Sequence, residues 1–73
     1  MKKVSLYPNP SNGTFTINLP EESDLEIINM LGQKLMTCSK VSGNMELQLD
    51  QAGLYLVRVN NASGTETLKL IVK

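Results

Sequence analysis

The feature that most constrains this chain is its punctuation by glycine. After Gly13, the glycines Gly32, Gly43, Gly53 and Gly64 follow one another at intervals of 11, 10 and 11 residues. Each lies in a cluster suited to reversing a chain: Ser11-Asn12-Gly13, Asn29-Met30-Leu31-Gly32, Ser42-Gly43-Asn44, Asp50-Gln51-Ala52-Gly53 and Asn60-Asn61-Ala62-Ser63-Gly64. Glycine accepts positive φ, and Asn, Asp and Ser hydrogen-bond to nearby backbone. Turn signals about every 8–12 residues predict a small all-β sandwich or barrel.

The segments between the clusters agree. Thr14–Leu19 alternates strictly, with Phe15, Ile17 and Leu19 on one face, and Met45–Asp50 does the same with Met45, Leu47 and Leu49. A period of two marks a strand with one buried and one wet face. Leu54–Val59 places Tyr55, Val57 and Val59 on one face but also carries Leu54 and Leu56 opposite them. Either a partly covered central strand or an exposed apolar contact patch reads this way. Glu66–Lys73 sets Leu68, Leu70 and Val72 against Lys69, Ile71 and Lys73. Asp24–Asn29, Gln33–Ser39 and a short Val4–Tyr7 complete seven predicted strands. Asn29–Gly32 fits a type I turn followed by a left-handed glycine. Pro8 and Pro10 lack the N–H that a ladder uses, so Val4–Tyr7 belongs at an edge or ends there. The fold expected is all-β, a seven-stranded antiparallel β-sandwich of immunoglobulin-like type. Leu49, Gly53, Tyr55, Val57 and Val59 have the spacing of the corner into the sixth strand of such sandwiches, where a Tyr hydrogen-bonds back across the corner. Tyr55 is therefore read as structural, with an exposed contact Tyr as the alternative.

Composition narrows the chemistry. Seven Lys and Arg balance seven Asp and Glu, and there is no His. Zero net charge offers no general attraction for nucleic acid or anionic lipid. A chain of 73 residues is one domain at most. One this short buries only about 60% of its unfolded surface. General acid–base catalysis usually needs a perturbed carboxylate pair or a His. Here Glu21, Glu22 and Asp24 read as a solvated turn and lack the spacing of a calcium loop. Cys38, without a His to activate it, reads as a small half-buried hydrophobe. No serine has a nucleophile context. The expectation is a protein that is not an enzyme, with no cofactor and no metal, acting by being recognised. No apolar run approaches the roughly 20 residues of a membrane helix. Nor is a signal peptide read at the start, where Pro8 ends any apolar region.

The order of the motifs then becomes informative. Tyr7-Pro8-Asn9-Pro10-Ser11-Asn12-Gly13 opens the chain, Asn29-Met30-Leu31-Gly32-Gln33 and Gly53-Leu54-Tyr55 follow, and Lys69-Leu70-Ile71-Val72-Lys73 ends it. Over nearly all of residues 4–73 this series resembles the type A C-terminal sorting domain of the type IX (Por) secretion system of Bacteroidetes. The resemblance implies an immunoglobulin-like sandwich carried behind an upstream cargo protein. It also implies recognition by outer-membrane translocon components after periplasmic transit. It further implies removal of the domain by a sortase-like signal peptidase, with the cargo attached at the cell surface or released. Carried over by motif, the residues are Pro8, Asn9, Pro10 and Gly13, then Asn29 and Gly32, then Gly53 and Tyr55, and finally Lys69, Leu70, Ile71, Val72 and Lys73. Most of these also have a purely structural reading. Lys69–Lys73 is the best candidate for direct recognition, because a terminal edge can pair with another strand, including a second copy of the chain. Removing Leu70–Lys73 is accordingly expected to block export while leaving the sandwich largely folded. Residues 1–3 read as an added start or linker remnant before a domain of 4–73. The alternative function is a fibronectin-like adhesion or carbohydrate-binding module of a surface protein. It differs in that a sorting tag requires the parent reading frame to stop at Lys73.

Overall fold

The computed structural model describes residues 3–73, so of the expected 1–3 remnant the first two residues lie outside the described part. Five strands form one antiparallel sheet: β1 (Ser5–Tyr7), β2 (Thr14–Asn29), β3 (Lys34–Gln48), β4 (Gly53–Asn61) and β5 (Gly64–Val72). β3 pairs with one side of β2 along most of its length. On the other side, β1 pairs with the first part of β2 and β4 with the second, and β5 continues outward from β4. The sheet curls into a half-barrel around its own core.

The all-β expectation stands, while the seven-stranded, two-sheet sandwich is corrected to five strands in one curled sheet. Two pairs of predicted strands fuse. Thr14–Leu19 and Asp24–Asn29 are the two halves of β2, and Gln33–Ser39 and Met45–Asp50 contribute the two halves of β3. The polar stretches between them are bends, not reversals. The β2–β3 register shifts between Leu19 and Ser23 and again between Ser23 and Leu25. Extra residues at a bulge bend a strand and sharpen its twist. Pro20 sits at the first shift, where a missing ladder N–H is tolerated. Lys40 sits at the second with φ 55°, its N–H donated to Asp24 Oδ1 at 3.1 Å. That extra residue flips the alternation of β3. Met36 and Cys38 face the core before it, and Val41, Met45 and Leu47 after it. Glu21, Glu22 and Asp24 thus lie within a bulged strand and not at a turn.

The concave face holds Phe15, Ile17, Leu19, Leu25, Ile27, Val57, Val59 and Leu70, each essentially inaccessible, with Val4, Tyr55 and Val72 beside them. Phe15, Ile17, Leu19, Tyr55, Val57, Val59, Leu70 and Val72 are alternating positions expected from the sequence, while Met45, Leu47 and Leu49, expected on the buried face of their strand, are only half-buried. Cys38 is free and half-buried against this cluster. The two buried hydroxyls are partnered. Ser11 Oγ donates to Thr14 O and accepts from Gly13 N, while Ser23 Oγ donates to Glu21 O and accepts from Asn61 Nδ2.

The corner before β4 behaves as its spacing predicts. Tyr55 is 6% exposed, and its hydroxyl donates to Gln51 O at 2.6 Å. Tyr55→Phe is expected to lower stability by about 1 kcal/mol, because the exposed Gln51 carbonyl regains water once the hydroxyl is gone. The urea midpoint measures this. An unchanged midpoint would mean that the hydroxyl does not hold the corner.

Candidate recognition surface

The motif residues, scattered from Pro8 to Lys73, converge on one end of the sheet. One row across it is Asn29, Tyr55 and Leu70, on β2, β4 and β5. The next is Gly53 opposite Val72, and Val72 in turn bridges to Ser11.

Asn29 organises the β2–β3 hairpin. Its Oδ1 accepts from Leu31 N and Gln33 N at 2.9 and 3.0 Å, its Nδ2 donates to Gln33 Oε1, and its carbonyl accepts from Gly32 N at 3.0 Å. With Gly32 at φ 85°, this is the expected type I turn with a left-handed glycine.

The opening motif is a clasp across the last strand. Asn9 Nδ2 donates to Lys69 O at 2.7 Å, and Asn9 Oδ1 accepts from Ile71 N at 3.1 Å. Ser11 N donates to Ile71 O at 2.7 Å, and Lys73 N donates to Ser11 O at 2.8 Å. Gly13 O accepts from Leu49 N at 2.8 Å, which ties the clasp to the chain just after β3. Pro8, Asn9 and Pro10 are exposed, and Ser11 and Gly13 are buried.

Two expectations change here. The outer edge of the last strand is not free at Lys69–Lys73, since Asn9 and Ser11 hold the Lys69 carbonyl, both groups of Ile71 and the Lys73 N–H, so a second copy pairing along that stretch would have to displace them. Nor can Leu70–Lys73 be deleted without cost to the fold. Leu70 is fully buried and Val72 is 5% exposed, so the deletion removes two core side chains and the anchor of the clasp.

The convex face of the same end carries Ile28, opposite Leu56 on β4 and Lys34 on β3. Leu56 stands opposite Lys69, and Leu54 opposite Ile71. Leu54 and Leu56 are half-buried, Ile71 is 41% exposed, and Lys69 and Lys73 are exposed. Both sequence readings of Leu54 and Leu56 therefore hold in part: a central strand, with apolar side chains on its second face. Ile28, Lys34 and Ser11 were missed as members of this surface. Only Ser11, inside the opening motif, carried a signal. In the neighbouring row, Glu26 is bound by Arg58 at 3.0 Å and by Lys34 at 3.3 Å. Lys69 and Lys73 form no ion pair among the described residues. A polar depression of about 310 Å³ lies beyond Glu26, lined by side chains including Thr37, Ser39, Asn60 and Thr65.

The fold and its converging motifs define a small all-β module whose distinctive residues form a surface at one end of the sheet. Residues 5–73 match the family described as the secretion system C-terminal sorting domain, and the chain belongs to that family. It is a C-terminal sorting signal of type IX secretion: the tail of a cargo protein, handled by the secretion system and directing export to the cell surface or the medium. No curated protein matches the chain.

Proposed function

We propose that this domain carries its cargo through the periplasm and across the outer membrane of a Bacteroidetes cell. There, translocon components bind the end of the sheet formed by Pro8–Gly13, Asn29–Gly32, Gly53–Tyr55 and Lys69–Lys73. A sortase-like peptidase then cuts the domain from the cargo, which is attached at the surface or released. The domain supplies no catalysis of its own. The observation that supports this reading best is the convergence of the motif residues at one end of the sheet, with hydrogen bonds between residues up to 62 positions apart in sequence. A fold needs a core, and the alternating apolar residues already provide one. An added demand for particular residues at one end fits a surface that is read by a partner.

The test is a reporter bearing an export signal, fused ahead of residues 3–73 and expressed in a host with type IX machinery. Mass spectrometry of the exported reporter is expected to show loss of the domain, nearly all of the chain's 8.0 kDa. Reporter recovered outside the cell with the domain still attached would contradict removal.

A further inference from the structure

We infer that Asn9 and Ser11 serve as a built-in strand on the outer edge of β5, so that the secretion machinery reads the outward side chains Lys69, Ile71 and Lys73 and not a free backbone edge. The partner face that fits them is an apolar surface carrying carboxylates. This inference rests on the reading that the motif end of the sheet is the recognition surface.

The hydrogen-bond geometry carries the first half. An exposed strand edge invites another strand through its unpaired N–H and C=O groups. Here the Lys69 carbonyl, both groups of Ile71 and the Lys73 N–H are taken. The Asn9 side-chain amide acts as a peptide group would, donating to one carbonyl and accepting from the N–H two residues on. The Ser11 main chain continues the pairing at Ile71 and Lys73 as a parallel bridge. A partner strand could enter here only by displacing these contacts.

Alternation carries the second half. Leu70 and Val72 are locked into the core, so Lys69 and Ile71 must point outward, and Lys73 continues their order. Their neighbours across the convex face are Leu54 and Leu56. Glu26, in the neighbouring row, is already held by Lys34 and Arg58, and Lys69 and Lys73 form no ion pair among the described residues. An apolar strip with unmatched cations selects an apolar partner bearing acidic groups. Asn9 is then a positioning residue: it fixes the strand that displays the cations.

Two measurements test this together, amide hydrogen exchange on the 73-residue chain and export of a reporter fused to it. Asn9→Ala is expected to speed exchange at the Ile71 amide at least tenfold while Val57 and Val59 stay protected, and to lower export. Asn9→Asp, which keeps an acceptor for Ile71 but sets an oxygen against the Lys69 carbonyl, is expected to recover only part of that protection. Lys69→Glu with Lys73→Glu is expected to cut export at least fivefold with unchanged protection at Ile71, and Lys69→Arg with Lys73→Arg to retain it. Export of the double Glu variant at the wild-type level would overturn the face reading. Unchanged or increased export of Asn9→Ala would overturn the built-in strand and favour strand addition at a freed edge. The unsubstituted fusion separates these failures from failure of the sorting reading itself, since only the latter would leave it unexported.

Discussion

Phe15→Ala is expected to leave the domain with about 0–2 kcal/mol of stability at 25 °C, so that a substantial fraction is unfolded, and to lower export of a fused reporter sharply. Phe15 is 1% exposed and is the largest of the fully buried side chains. Truncating a buried Phe to Ala costs about 3–5 kcal/mol, the lost transfer energy plus the cavity left behind. A domain of this size stands near the lower end of the usual stability range, about 5 kcal/mol. The substitution therefore removes most of the margin. No other aromatic ring is positioned to refill the space, because Tyr55 is tethered to Gln51 and Tyr7 is half exposed. Circular dichroism and a urea titration measure the loss of structure, and reporter fractionation measures the loss of export. If export did not fall with the folded fraction measured in this way, the machinery would be reading a linear peptide, and the convergence of motifs would have no role.

The second large effect is expected at Gly13. Its φ is 121°, a conformation that side-chain-bearing residues rarely adopt, and a Cβ there would lie 3.1 Å from the Leu49 carbonyl oxygen. The backbone conformation alone costs about 1–3 kcal/mol for a residue with a Cβ, and more for a β-branched one. The clash adds to this, since relieving it means moving the backbone that pairs Gly13 O with Leu49 N. Gly13→Val is therefore expected to be among the most destabilising single changes outside the core. Gly32 has a comparable sign of φ, at 85°, but nothing within 4 Å of a built Cβ. Gly32→Ala is expected to cost at least about 1 kcal/mol less than Gly13→Ala, the part belonging to the clash and to the more extreme φ. Equal losses at the two sites in urea titrations would show that the close approach to Leu49 does not matter.

These two residues also mark what the sequence made legible. Phe15 was found by alternation, as were Ile17, Leu19, Tyr55, Val57, Val59, Leu70 and Val72, all of which are buried. Period-two burial is a local property, so it survives any error about how strands are joined. The Asn29–Gly32 turn was legible for the same reason, since its hydrogen bonds close within five residues. The strand count was not. Pro20-Glu21-Glu22-Ser23 and Lys40-Val41-Ser42-Gly43-Asn44 have the polarity of loops, yet they lie across from each other on β2 and β3 and bend both strands together. A bulge and a turn use the same polar residues, and only the partner strand distinguishes them. The clasp was illegible for a different reason. Asn9 meets Lys69 and Ile71 across 60 and 62 residues, and nothing local in either segment announces the other. The terminal strand looked like a free edge because the residues that cover it come from the other end of the chain.

The central claim is that the sorting signal is a folded surface assembled from both ends of the domain. The measurement that tests it most directly compares two reporter fusions in a host with type IX machinery, one carrying residues 3–73 and the other only the last nine residues, 65–73. Export of the first with retention of the second in the periplasm is the expected result. Equal export of both would contradict the account, because nine residues hold neither the clasp nor the core.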